Sequence, residues 1–92
     1  MDFCASYLND ARVPNPSSKR QDPVLVALGT AIRRIRTEQG MSQEKLALLS
    51  EIDRSYVGRV ERGDNNVAVL TLVRLANALQ ISVAELMLEA KL

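Results

Sequence analysis

Between Gln43 and Arg62, two helices and a bend must share twenty residues. Ser42 is a favoured N-cap for the first, over 43–49, and Asp53 for the second, which runs to Arg62 and is closed by Gly63. The bend around Ser50 to Ile52 is too short to return the chain antiparallel, so the two helices cross steeply. Ala47 falls where they press together, and its small side chain permits the approach; Leu46 faces Ile52, Val57 and Val60 across the bend. The second helix of the pair therefore buries one narrow stripe and turns the rest outward. That accounts for the stretch SEIDRSYVGRVERG, Ser50 to Gly63, which holds three acidic and three basic side chains but keeps its aliphatic residues at Ile52, Val57 and Val60.

The remainder reads as further short helices. Val24, Leu25, Leu28, Ala31, Ile32 and Ile35 recur at three- and four-residue steps over 24–39, with Arg33, Arg34 and Thr37 pointing elsewhere. Asp22 is placed to cap this helix and Pro23 is preorganised for its first turn; Gly40 ends it in the left-handed position, with Met41 packing back. Within 43–49 the inward residues are Leu46, Ala47 and Leu49. A fourth helix is expected over 69–79, burying Leu72, Val73, Leu75, Ala76 and Leu79. A fifth opens with Ser82 and Glu85 at capping-box spacing and carries Val83, Leu86 and Met87. No strand pattern or repeat appears, which predicts an all-α bundle of five helices over 23–92. Residues 1–22, with PNPSSKRQDP and no apolar period, read as a flexible arm whose Phe3, Tyr7 and Leu8 are available to dock on a neighbour.

Composition narrows the chemistry. With 92 residues, 47% of them hydrophobic, the chain forms a folded domain with a small core. A domain of this size buries roughly 60–65% of its unfolded surface, which leaves little room for an enclosed active site. There is no histidine and one cysteine, Cys4, so imidazole bases, zinc clusters and disulfide frameworks are all excluded. The expectation is a protein that is not an enzyme, holds no metal or cofactor, and works in a reducing compartment. No apolar run approaches the ~20 residues of a membrane span, and Met1 to Ala5 begins with an acid, which points to the cytoplasm and to no membrane partner. The net charge of +1 hides an uneven distribution: residues 19–62 carry nine basic side chains against six acidic ones, and the segment after Gly63 is slightly acidic.

The crossed pair is the helix-turn-helix arrangement. MSQEKLALLSEIDRSYVGRVERG, followed by LTLVRLANALQISVAEL, resembles the lambda-repressor-like (Xre) family of helix-turn-helix regulators; DRSYVGRVERG is especially similar to the controller proteins of restriction-modification systems. The likeness spans about Leu25 to Leu88. It implies a five-helix, lambda-repressor-like DNA-binding and dimerisation domain whose third helix enters the major groove, bound as a homodimer to a near-palindromic double-stranded operator. Position by position, it puts Arg54, Ser55, Tyr56 and Arg59 on the base-contacting surface. Arginine donates a bidentate pair to guanine, a hydroxyl serves either base edge, and the tyrosine ring suits a thymine methyl. Gln43 and Ser42, at the start of the second helix, and Asn65 and Asn66, in the loop after the third, are the expected phosphate contacts, opposed by Asp64; Lys19 and Arg20 are placed to reach the backbone or minor groove. Arg36 and Glu61 are implied to form a buried structural ion pair. Three positions depart from the family pattern. Glu51 stands where the tight turn usually has glycine, Ala68 offers the fourth helix no hydroxyl cap, and Gln80 holds the usual glycine C-terminal position.

Doubling the contacts by twofold symmetry is the economical way to hold an operator, and Leu79, Ile81, Val83, Leu86, Met87 and Leu88 form the expected partner surface. Nothing in the chain suggests a small-molecule effector. The competing reading is a helix-turn-helix protein-protein adaptor or antitoxin-like module with weak or no specific DNA binding, a reading the modest net charge favours and the Arg54 and Arg59 pair opposes.

Overall fold

The computed structural model describes residues 20–92; Lys19, Cys4 and the apolar Phe3, Tyr7 and Leu8 of the expected arm lie outside the described residues. Five helices follow in order: α1 (Pro23–Glu38), α2 (Gln43–Ser50), α3 (Arg54–Glu61), α4 (Val69–Ala78) and α5 (Val83–Glu89), with no strand among the described residues. Their ends are set by local chemistry. Asp22 accepts from the Val24 N–H with Pro23 following, Ser42 accepts from Lys45, and Asp53 accepts from Ser55. Ser82 and Glu85 exchange both bonds of a capping box. Ala68 gives α4 no side-chain cap, and Gln80 takes the left-handed conformation at φ 62°.

The core draws on every helix. Ile32 from α1, Leu46 from α2, Val57 and Val60 from α3, Leu75 from α4 and Leu86 from α5 are each at most 2% exposed. Leu79, just past α4, joins them. Full burial of such a side chain contributes about 1.5–3 kcal/mol. Val73 and Met87 are half-buried, and Leu49, expected inside, is 48% exposed. The α2 helix spends its inward positions on Leu46, Ala47 and Ser50 instead, the Ser50 hydroxyl donating back to the Leu46 carbonyl at 2.5 Å.

Two contacts fix α3 within this bundle. It packs on α2 through the bend and on α1 through Gly29. A Cβ at Gly29 would run into the Val60 carbonyl oxygen and stand 2.6 Å from that of Glu61, both backbone atoms. Gly29→Ala is therefore expected to force α1 and α3 apart and lower stability by about 1–3 kcal/mol, the usual overpacking range, measurable by urea denaturation; an unchanged midpoint would show that the helices separate freely.

The attached body begins earlier than Pro23. Gln21, assigned to the flexible arm by its composition, adopts φ 65° and donates its backbone N–H to the Gly63 carbonyl at 2.6 Å. Its side-chain amide donates to the Arg62 carbonyl and to Asp64. The pre-helical residues Arg20 and Gln21 are thus held against the α3–α4 loop.

Candidate nucleic-acid interface

The bend that aims α3 rests on Glu51, which adopts φ 59°, ψ 44° without being glycine. The Ile52 N–H donates to the Ala47 carbonyl at 3.0 Å, and the half-buried Ile52 side chain packs on the core, closing the end of α2. Asp53 then starts α3, bound by the Ser55 N–H at 3.1 Å and by the Ser55 hydroxyl. These bonds hold the Asp53 carboxyl below its ordinary value, so it is a charged cap at neutral pH. They also commit the Ser55 hydroxyl proton, leaving its oxygen to accept.

Val57, Gly58, Val60 and Glu61 form the buried stripe of α3; Arg54 and Ser55 are exposed, and Tyr56 and Arg59 are half-buried. The Arg59 guanidinium lies over the Tyr56 ring at 5.5 Å from its centroid. Among the described residues its buried Nε has no hydrogen-bond partner, and the Tyr56 ring is what packs against this side chain. Burial raises the Tyr56 phenol above its ordinary value against a smaller opposing pull from Arg59, which keeps it a neutral hydroxyl.

Behind this surface, Arg36 and Glu61 meet in a bidentate pair: Nε to Oε2 at 2.6 Å and Nη2 to Oε1 at 3.0 Å, with side chains 9% and 2% exposed. Arg36 Nη1 also donates to the Met41 carbonyl at 2.7 Å, tying the end of α1 to the start of α2. Glu61 Oε1 further accepts from Gln43 Nε2 at 2.9 Å, and Gln43 Oε1 accepts from Arg54 Nη1 at 3.3 Å. One Gln43 N–H therefore faces inward, a link the sequence did not disclose. Ser42 is exposed, with its hydroxyl oxygen capping Lys45.

Some expected site residues are elsewhere. Asn65 is 6% exposed and its buried Oδ1 has no hydrogen-bond partner among the described residues, so it is part of the loop's interior; Asn66 alone of the pair is exposed. Of the expected partner surface, Leu79 and Leu86 are 0% exposed and belong to the core, because the capped turn at Ser82 folds α5 back under α4 and α1. Ile81, Val83 and Met87 are half-buried against that core, and only Leu88, at 73%, is open. Other large aliphatics that stand open are Leu48 on α2, at 72%, and Val69 and Leu70 at the start of α4, at 73% and 76%. Among the described residues no group of histidine, cysteine, aspartate or glutamate has the geometry to hold a metal, and no single helix is long and apolar enough to cross a membrane.

Residues 32–86 match the Helix-turn-helix family. The chain belongs to that family. It is similar to Control protein C.SmaI of Serratia marcescens, with 43% identity over 60 residues that span 65% of this chain and 71% of that one. Among solved structures, it is similar to the restriction-modification controller protein C.AhdI from Aeromonas hydrophila, with 53% identity and a TM-score of 0.66 over 67% of this chain and 94% of that chain. The clp gene regulator ClgR from Corynebacterium glutamicum is 34% identical, with a TM-score of 0.72 over 74% of this chain and 72% of its own. This helix-turn-helix chain thus shares both fold and sequence with named regulators, and the shared part includes α2, the bend and α3.

Proposed function

We propose that this protein is a sequence-specific transcriptional regulator that lays α3 in the major groove of a near-palindromic operator. The observation that carries the reading is the division of α3. Val57, Val60 and Glu61 anchor one side, while Arg54 reaches solvent at its start and Arg59 extends along the Tyr56 ring. Arg54 and Arg59 suit guanine edges; Tyr56 and the Ser55 oxygen suit flanking base edges. Ser42, Asn66 and the outer N–H of Gln43 suit phosphates. The names of the relatives, control and controller proteins and a gene regulator, support the same function.

Binding of two copies belongs to this reading, since a helix this short covers only one half-site. Val69 and Leu70 are the aliphatics we assign to the twofold contact, because they follow directly on the loop that ends α3 and are open to solvent. Leu70→Lys is expected to convert a dimer to a monomer in sedimentation equilibrium without loss of helical signal. If Leu88→Lys has that effect instead, the contact lies on α5.

The direct test is selection of bound sequences from random duplex DNA by the purified protein. A twofold-symmetric consensus is expected, with log affinity falling linearly against log salt. Recovery of unrelated sequences at physiological salt would favour the protein-binding adaptor.

A further inference from the structure

Arg54, Gly58 and Arg62 are spaced by four residues and share one face of α3 and its C-cap. Gly58, the buried residue between them, has no side chain to keep its neighbours off the helix. A Cβ there would stand 3.3 Å from Arg62 Nη1 and 3.9 Å from both amide atoms of Gln43. The Arg62 side chain therefore runs back along the helix toward Gln43, the same side chain that Arg54 Nη1 contacts at 3.3 Å. Two guanidinium groups thus lie to either side of one glutamine over the covered Gly58, and the Arg62 side chain is itself 61% exposed.

Arg62 is not a free cation. Its Nε donates to Asp64 Oδ2 at 3.1 Å. Asp64 Oδ1 accepts from Gln21 Nε2 at 2.6 Å and faces Arg20 Nε at 3.7 Å, so the carboxylate, 12% exposed, is held from both sides. Hydrogen bonds from Gln21 and then Arg62 hold its carboxyl below the ordinary value, which keeps it ionised wherever DNA binding is measured.

We propose that Arg62 is a further contact to DNA phosphate and that Asp64 is its internal counter-ion, which the phosphate must displace, so that Asp64 holds affinity down. This rests on the DNA-binding reading above. Phosphate and carboxylate compete for the same fork of guanidinium donors, so the bond Arg62 forms with DNA is partly offset by the bond to Asp64 that it breaks. The effect is blind to base sequence, because it acts through the backbone.

Asp64→Asn tests this while keeping the shape and an oxygen that accepts from Gln21. It is expected to bind selected and random duplexes alike several-fold more tightly, at a melting temperature that confirms the fold. Arg62→Gln is expected to weaken binding to both duplexes and to reduce the slope of log affinity against log salt by about 1. In the double variant Asp64→Asn/Arg62→Gln the tighter binding should vanish. Unchanged or weaker binding by folded Asp64→Asn overturns the proposal, as does tighter binding that survives loss of Arg62. Should Asp64→Asn fail to fold, Arg62→Gln decides alone: an unaltered salt slope overturns the contact. Absence of DNA binding by the unmodified protein at low salt would instead sink the functional reading itself.

Discussion

Arg36→Met is expected to destabilise the fold by about 3–5 kcal/mol, the range for removing one partner of a buried pair. Glu61, at 2% side-chain exposure, would lose both guanidinium donors and keep only the Gln43 amide, leaving its charge poorly compensated inside the bundle. The Met41 carbonyl would lose its donor as well, loosening the junction between α1 and α2. Urea denaturation measures the loss directly. The double variant Arg36→Met/Glu61→Met should recover much of it, since replacing a whole buried pair with apolar volume is often neutral. A single-variant loss under about 1 kcal/mol would place the pair in the weak class of solvent-screened bridges. Any loss of DNA binding in Arg36→Met reports unfolding and carries no information about the groove.

Arg54→Ala combined with Arg59→Ala is expected to abolish discrimination between the selected operator and random duplex, each bidentate arginine contributing about 1–3 kcal/mol of preference. Stability should change little, because Arg54 is exposed and Arg59 contributes only its stacking on Tyr56. Weak, strongly salt-dependent binding should persist, supplied by the phosphate contacts. Competition binding with labelled operator against random duplex reads the result; a double variant that still prefers the operator would move sequence reading off α3. Arg59→Lys should behave much like Arg59→Ala in this assay, since an ammonium lacks the plane that lies on the ring and the fork that meets guanine.

The parts of this fold legible in the sequence are those written in near neighbours. Asp22 with Pro23, Ser42, Asp53, and Ser82 with Glu85 mark helix starts because a cap needs only the next two or three residues. The family resemblance marks Glu51 as standing at the usual glycine of the tight turn, where either a left-handed residue or an altered turn is expected, and the residue adopts the left-handed conformation. What depended on distant packing was not readable. Leu79 and Leu86 looked surplus to a one-chain core, yet α5 folds back and buries both completely. Asn65 looked like a loop donor and is tucked beneath its own loop. Gln21 looked like tail until its bonds to residues more than forty positions away fixed it. Arg62 had a signal that went unused: it repeats the spacing from Arg54 through Gly58, and a glycine between two arginines on one helix face leaves room for a long side chain to lie flat.

The close approach of α1 and α3 at Gly29 has a bearing on how an operator is chosen. The Val60 and Glu61 carbonyls lie so close to the bare Cα of Gly29 that α3 cannot move toward α1 without a clash. In the proposed dimer, a mismatch between the spacing of the two half-sites and that of the two α3 helices would then fall mainly on the duplex, through bending or a change of twist. Base pairs at the centre of the operator, touched by no side chain, would be chosen for the ease with which they deform.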